Sequence, residues 1–175
     1  MINSFENYLK LGKAKRKTPD FEEGKSLIWK AENRLVYTKA KEINNNNSQF
    51  ILEDAYEAMR ESAQALMSIK GYKPYSHEAT ISFIRDFHAD VFNDEEIHKF
   101  DRFRKLRNSS VYTAAPVLSE DAKSSVLFAE AFIVKVKALL NKNKNILKET
   151  FGTMKFKKST EEMMKETDRE LWGEE

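Results

Sequence analysis

The sequence predicts an all-α protein, built as an up-and-down bundle of about five helices. Apolar residues recur at steps of three and four along most of the chain, which is typical of helices with one face in a core. Only five glycines and three prolines interrupt the 175 residues. Residues that favour helix ends stand between the apolar segments, so long helices joined by short turns are expected.

The composition is typical of a soluble, helix-rich protein rather than a disordered chain, because 41% of the residues are hydrophobic and 33% are charged. Thirty basic and 28 acidic residues give a net charge of +2, so the overall charge does not indicate nucleic acid. The sequence has no cysteine, which excludes disulfides and cysteine metal sites. No apolar run approaches the length of a membrane span. We expect a cytoplasmic protein without a cofactor, a metal or a membrane segment.

Residues 1–25 are expected to form a basic N-terminal arm. Phe5 and Tyr8 suit a short amphipathic helix, and a basic run follows it at Lys13–Lys17. Such a run is able to touch phosphates or an acidic partner. We interpret it instead as a solvated basic linker that ends at Pro19.

The bundle itself is predicted to span residues 26–143. Its first helix runs from Ser26 to about Ile43 and has a broad apolar face, which indicates a core-facing helix. The run Asn44–Asn47 favours a turn after it. The face combines one stripe of Leu27, Ala31, Leu35 and Thr38 with a second stripe of Val36, Ala40 and Ile43.

The second helix is predicted from Ser48 to Lys70, because Gly71 suits a left-handed C-terminal cap. The segment Tyr72–Tyr75 is then a turn, and Ser76 caps a third helix at its N-terminus. The apolar stripe of the second helix consists of Leu52, Ala55, Met59, Ala63, Leu66 and Ile69.

The fourth helix is predicted to begin with the acidic segment Asn93–Glu96, which suits the helix dipole, and to end no later than Pro116. Ser119 caps the fifth helix. Residues 144–175 are expected to form a C-terminal extension, whose last amphipathic segment runs from Thr160 to Trp172. The stripe of the fifth helix consists of Ala122, Val126, Ala129, Ile133, Val136 and Leu140.

The fourth helix also carries a recognisable motif. Arg107 and Asn108, followed after two residues by Val111 and the polar ring of Tyr112, resemble the signature of HEPN domains. These are small helical bundles named for nucleotide binding in higher eukaryotes and prokaryotes. The segments 55–66 and 71–77 strengthen the resemblance, which covers roughly residues 26–141 and implies the same helical fold.

In catalytic members, the resemblance implies a metal-independent ribonuclease with an Arg followed four to six residues later by a His, often repeated across a homodimer. Arg107 matches that Arg, whose guanidinium holds a phosphate oxygen, and Asn108 matches its usual polar follower. Tyr112 occupies the position of the His. A phenol has an ordinary pKa of about 10, so it makes a poor general base near pH 7.

Arg107 and Tyr112 are five residues apart, a spacing that separates their directions by about 140° on a straight helix. They share a cleft only if the helix bends or ends between them, and the weak helix formers at Asn108–Ser110 favour such a break. In the alternative, Arg107 pairs with an acid at the edge of the core, such as Glu57 or Glu61, and Tyr112 fills a gap at the helix end.

The candidate phosphate- or nucleotide-binding residues are Arg104, Lys105, Arg107 and Asn108. With Lys99 and Arg102 they make the fourth helix strongly basic, a pattern usable for RNA through phosphate contacts. The interleaved Phe100 and Phe103 fit the core stripe, so we do not expect them to stack on bases.

Together these features predict a HEPN-type protein that binds a nucleotide or RNA, as a degenerate ribonuclease of a toxin-antitoxin or defence system. Two alternatives stay open. One is an active metal-independent endoribonuclease that uses Arg107 and Tyr112, and the other is a non-catalytic dimeric interaction module. We expect a homodimer through the face that carries Arg107, and the resemblance implies a small nucleotidyltransferase-type protein as a further partner.

Overall fold

The computed structural model describes the backbone of residues 2–153 and the side chains of residues 2–142. Within these residues it contains six helices and one small antiparallel sheet of two strands, so the predicted all-α class is confirmed. In chain order the elements are α1 (Phe5–Lys10), β1 (Ala14–Arg16), α2 (Phe21–Lys39), α3 (Ser48–Ile69), β2 (Tyr72–Pro74), α4 (His77–Phe87), α5 (Asp94–Thr113) and α6 (Ser119–Thr153).

The core lies between the apolar stripes of the helices. The predicted stripes of α3 and α6 are buried except at their last residues, Ile69 and Leu140, which are partly buried. Met59 of α3 and Val136 of α6 have no exposed surface. The rings of Phe100 on α5 and Phe132 on α6 pack with their centroids 5.0 Å apart. Tyr56 of α3 is fully buried and lies 5.9 Å from Phe100. The hydroxyl group of Tyr56 therefore lies in the contact between α3 and α5.

Helix α2 differs from the prediction at both ends and on one face. It begins at Phe21, because the Asp20 side chain caps it by accepting a hydrogen bond from a backbone N–H of the first turn. It ends at Lys39 rather than near residue 43. The stripe through Ala31 is buried as predicted, but the second stripe was wrong, since Val36 is 68% exposed.

The predicted basic linker and the predicted turn are the two strands of the small sheet. Strands β1 and β2 pair antiparallel with Lys15 opposite Lys73, and we call residues 13–17 and 72–75 the basic ribbon. Gly71 precedes β2 with a positive φ of 77°. A Cβ at this position would lie 2.7 Å from the carbonyl oxygen of Lys17, so the close approach of the two segments requires glycine.

Helix α6 continues to Thr153, beyond residue 140 where its predicted stripe ends. The described residues as far as 140 form one compact unit, and a second unit begins at residue 141. The amphipathic segment predicted at residues 160–172 lies outside the described residues. No helix in the described part of the chain is both long enough and apolar enough to cross a membrane.

Candidate functional site

Helix α5 carries the residues that the motif singles out. A capping box closes its first turn, in which the side chains of Asn93 and Glu96 each accept a hydrogen bond from the other's backbone N–H. Phe100 and Phe103 are buried, as predicted, and this fixes the rotation of the helix. Arg104 and Arg107 therefore lie one turn apart on the flank that contacts α3 and α4.

Arg104 is held between two carboxylates. Its Nη1 donates to Oε1 of Glu78 on α4 at 2.5 Å, and its Nε donates to Oδ1 of Asp101 at 2.8 Å. Lys105 lies 2.9 Å from the other oxygen of Asp101, although its side chain is 68% exposed. Burial alone would raise the pKa of Asp101, but hydrogen bonds from Lys105 and Arg104 outweigh burial and lower it. Two of the donors of Arg104, on Nε and Nη1, are consequently in use.

Arg107 is poorly satisfied by its neighbours. Its Nη2 lies 3.7 Å from Oε1 of Glu57, which is beyond hydrogen-bond distance. Its Nη1 donates to Oδ1 of Asn108 at 3.4 Å, and its buried Nε has no partner within the described part of the chain. The alternative pairing with Glu57 is thus present but weak, while Glu61 binds Arg34 instead. Arg107 retains N–H groups that a ligand is able to use.

Arg107 and Tyr112 lie on one uninterrupted helix, because α5 continues to Thr113. The condition for a shared cleft, a bend or an end of the helix at Asn108–Ser110, is therefore not met within this chain. Ser110 is buried, and this packing outweighs the weak helix propensity of the segment. The Tyr112 side chain is 75% exposed and differs in direction from Arg107 by about 140°.

A buried tyrosine and a half-buried histidine form a pair at the start of α4. The Oη atom of Tyr56 lies 2.8 Å from Nδ1 of His77, and the two rings stack with centroids 5.5 Å apart and planes 15° apart. Ser76 positions the histidine, because its Oγ accepts a hydrogen bond from the backbone N–H of Ala79 at 3.1 Å and so caps the helix. Tyr56 therefore holds the His77 ring, and the Ser76 cap holds the His77 backbone.

The surroundings of this pair set its protonation. Burial raises the pKa of the Tyr56 phenol, so the hydroxyl keeps its proton. Burial, followed by the positive charge of Arg60, lowers the pKa of the His77 imidazole, and Arg107 acts in the same direction. His77 is accordingly neutral near pH 7. Its Nε2 has no hydrogen bond within residues 2–142 and is not buried, so it is open to a ligand.

Arg60 completes the group. Its Nε and Nη2 both donate to Oε2 of Glu57, at 2.8 and 2.5 Å, and both side chains are less than a quarter exposed. Three guanidinium groups thus converge from two helices beside a neutral imidazole. We call this group the arginine cluster, and it consists of Tyr56, Glu57, Arg60, His77, Arg104 and Arg107.

Sequence patterns do not single out Tyr56, Arg60 and His77, because these residues lie on other helices than Arg107. One signal was present in the sequence, since Tyr56 and Arg60 are one turn apart on α3 and so lie on the same side of it.

The predicted basic surface of α5 is divided in the structure, because some of its basic side chains pair with acidic residues outside the arginine cluster. Lys99 pairs with Glu95 at 2.7 Å, and Arg102 pairs with Asp121 on α6.

The arrangement is suited to an anion. Guanidinium groups present planar pairs of N–H donors that match the oxygens of a phosphate. A neutral imidazole with a free nitrogen next to them is able to accept a proton near neutral pH. The cluster therefore combines the means to hold a phosphate with the means to move a proton.

Comparison with known proteins places this site in a family. A family model described as HEPN domain matches residues 25–144. A search of curated proteins finds no match. The matched region contains α3, α4 and α5, and hence the whole arginine cluster. It covers more than half of the chain and agrees with the helical fold, so the chain belongs to the HEPN domain family.

Proposed function

We propose that the chain binds RNA, through one of its nucleotides, at the arginine cluster, and that Arg107 is the main phosphate ligand. The observation that carries the proposal is the weak pairing of the Arg107 guanidinium: Nη2 lies 3.7 Å from its nearest carboxylate, Nη1 makes a long hydrogen bond of 3.4 Å to Asn108, and the buried Nε has no partner in the described part of the chain. Buried polar atoms without partners are rare in proteins and call for an explanation. The association of HEPN domains with RNA binding and nuclease-type functions supports the assignment.

Arg107 suits this role better than its two neighbours. Arg60 already makes two hydrogen bonds to Glu57, and Arg104 makes one to Glu78 and one to Asp101. A phosphate that approaches Arg107 competes with the 3.7 Å contact to Oε1 of Glu57 and the 3.4 Å hydrogen bond to Asn108. Oε2 of Glu57 remains bonded to Arg60, so the fold loses little.

The test is the affinity of labelled single-stranded RNA, measured by fluorescence anisotropy. Arg107→Ala is expected to weaken binding about tenfold, the usual worth of a hydrogen bond to a charged group. Arg102→Ala is the matched control, since it removes the same charge from the opposite flank of α5, where Arg102 pairs with Asp121. Equal affinities of the two variants would contradict the proposal.

Metal-independent RNA cleavage is a second candidate, favoured by the Tyr56–His77 pair. His77 replaces Tyr112 as the proton carrier in this candidate. In this candidate the ring proton of neutral His77 is on Nδ1, which donates it in the hydrogen bond to Oη of Tyr56, so that Nε2 is the basic nitrogen. The ribose 2′-oxygen attacks the phosphorus and gives its proton to Nε2 of His77, while the bond from phosphorus to the 5′-oxygen breaks and that oxygen takes a proton from water. The products are a 2′,3′-cyclic phosphate and a 5′-hydroxyl.

Incubation of total RNA with the protein in EDTA tests this candidate. Cleavage is expected in the wild type and in Tyr112→Phe, and loss of cleavage is expected in Arg107→Ala and His77→Gln. Cleavage that is lost in Tyr112→Phe but survives in His77→Gln would return the role to Tyr112. If no RNA is bound or cleaved, a non-catalytic interaction module becomes the better account.

The chain is also proposed to form a homodimer through the face of α5 that carries Arg107. HEPN domains commonly dimerise. One turn after Arg107 on this face, Val111 is 43% exposed, which leaves apolar surface available for a second copy. Light scattering after gel filtration is expected to give a dimer for the wild type and for Tyr112→Glu, which lies on another face, and a monomer for Val111→Glu. A monomeric wild type would contradict the proposal.

A further inference from the structure

The basic ribbon has one face toward the core and one toward solvent. Alternate residues of a strand point to opposite faces. Ala14 is 2% exposed, and the ring of Tyr72 packs edge-on against Phe5 at 5.1 Å, so these two positions face inward. Arg16, at the end of β1, is exposed, and its guanidinium lies 5.4 Å from the centroid of the Tyr72 ring. The exposed residues of the outer face are Lys13, Lys15, Lys73 and Tyr75.

The lysines of the outer face differ from most cations of this protein, because they lack carboxylate partners. Lys17 at the end of the ribbon pairs with Glu23. Lys13, Lys15 and Lys73 form no ion pair among residues 2–142. The segments 13–17 and 70–75 hold six basic residues and no acidic one.

Two of these lysines face each other directly. Lys15 is the partner of Lys73 in the register of the sheet. Side chains at such positions have Cβ atoms about 5 Å apart, and like charges there are destabilising. The folded sheet keeps the two positive charges next to each other. A polyanion bound across both lysines would offset their repulsion with its negative charges.

Glu23 lies at the margin of this surface and does not neutralise it. Hydrogen bonds from Lys17 and Ser68 lower the pKa of Glu23, with a smaller contribution from the charge of Lys73. Its closest partners are Lys17 at the end of the ribbon and Ser68 of α3, so this single carboxylate is already paired. The outer lysines therefore keep an uncompensated positive field.

The ribbon leads straight to the arginine cluster. Tyr75 is 52% exposed at its end, with the Lys15 Nζ atom 5.5 Å from the ring centroid. His77 follows two residues later, so the two backbones are at most about 7 Å apart. An exposed aromatic ring beside lysines is the combination on which single-stranded nucleic acids stack their bases.

We infer that the outer face of the basic ribbon is a second contact surface for RNA, which holds the phosphate backbone through Lys13, Lys15 and Lys73 and stacks a base on Tyr75. This inference rests on the proposed function, because the ribbon extends the path of the strand whose phosphate lies at Arg107. A single RNA strand offers both a row of phosphates and free bases, whereas an acidic peptide offers charge alone.

The experiment compares two variants of equal charge by the salt dependence of RNA binding. One carries Lys13→Gln, Lys15→Gln and Lys73→Gln. Its matched control carries Lys25→Gln, Lys99→Gln and Lys123→Gln, three exposed positions away from the ribbon. Each phosphate contact of a single strand contributes about 0.7 to the slope of log K against log salt, so the ribbon variant is expected to lose about 2 from the slope. Between about 50 and 200 mM salt, the wild type then loses about 20-fold more affinity than the ribbon variant.

Each outcome decides the question. A reduced slope in the ribbon variant with an unchanged slope in the control supports the inference. Equal slopes, with binding still weakened by Arg107→Ala, overturn the inference and leave the proposed function standing. No RNA binding by the wild type overturns both. Displacement of labelled RNA by poly-glutamate as readily as by unlabelled RNA of equal charge overturns the choice of RNA as the ligand.

Discussion

The arginine cluster and the basic ribbon both carry positive charge, but they hold it in opposite ways. In the cluster, Arg60 and Arg104 are 23% and 12% exposed and lie against carboxylates that fix their positions. On the ribbon, Lys15 and Lys73 are exposed, face each other and have no carboxylate partner in the described residues. Fixed donors favour one geometry of ligand, whereas free lysines attract any polyanion in a salt-dependent way. The arginine cluster is therefore suited to selecting a ligand by its geometry, and the basic ribbon is suited to attracting polyanions.

The two regions also differ in what supports them. The cluster is built on Tyr56, which has no exposed surface and is part of the core. The outer face of the ribbon ends at Tyr75, which is 52% exposed. Tyr56 thus supports the core of the protein, whereas Tyr75 is free to contact a ligand at the surface.

The largest expected difference is in stability. Tyr56→Ala is expected to lower the free energy of unfolding by about 3–5 kcal/mol, because it removes a buried aromatic ring, and Tyr75→Ala by less than about 0.5 kcal/mol. Urea denaturation measures both. Tyr56→Phe keeps the ring and is expected to cost only about 1–2 kcal/mol. Similar losses of unfolding free energy in Tyr56→Ala and Tyr75→Ala would show that the arginine cluster is not supported by core packing.

Removal of one cation from each region is expected to change stability with opposite sign. Arg60→Gln leaves Glu57 largely buried with only the 3.7 Å contact to Arg107, which costs about 1.5–3 kcal/mol. Lys73→Gln removes the repulsion with Lys15 and is expected to add about 0.2–1 kcal/mol. Thermal unfolding followed by circular dichroism compares the two variants. A loss of stability in Lys73→Gln would mean that the opposed lysines do not repel.

Exchange of lysine and arginine is expected to matter in the cluster alone. Arg107→Lys replaces a planar fork of donors by a point charge, and RNA affinity is expected to fall about tenfold. Lys15→Arg keeps the charge of the ribbon and is expected to change the affinity by less than about twofold. Anisotropy titrations at one salt concentration provide the comparison. An equal effect of both exchanges would indicate that the cluster also acts through charge only.

The smallest expected difference is in pH dependence. Because burial and Arg60 lower the pKa of His77 below its ordinary value of about 6.5, the imidazole gains its proton only below that pH. The added positive charge next to Arg107 is expected to raise RNA affinity a few-fold as the pH falls from about 7 to 5.5. His77→Gln is expected to remove the rise, while the ribbon lysines stay charged throughout. A rise that persists in His77→Gln would assign the effect to another group.

The helices were predictable because their signals are local. The stripes of α3 and α6, the caps Gly71 and Ser76 and the acidic start of α5 at Asn93–Glu96 lie within a few residues of what they determine, and the structure confirms them. The weak helix formers at Asn108–Ser110 favoured a break that the structure does not contain. Burial of Ser110 depends on packing, which propensity does not include.

The strands and most of the arginine cluster were not predictable from local patterns. Strand β1 has three residues and pairs with a strand more than fifty positions away, so Lys13–Lys17 looks like a linker until β2 is known. Tyr56 and His77 are likewise brought together only by the packing of α3 against α4. Arg107 was predictable because it lies in a short motif. That its Nε has no hydrogen-bond partner among the described residues is seen only in the folded structure.

The most direct test of this account is a double-mutant cycle on RNA affinity. It compares the wild type, Arg107→Ala, the ribbon variant with Lys13, Lys15 and Lys73 changed to Gln, and the combination of both. If the cluster and the ribbon hold one RNA strand at separate points, the losses in log Kd of the two variants are expected to add in the combined variant. A combined variant that binds RNA as well as the ribbon variant alone would contradict the account, because Arg107 would then contribute nothing to binding.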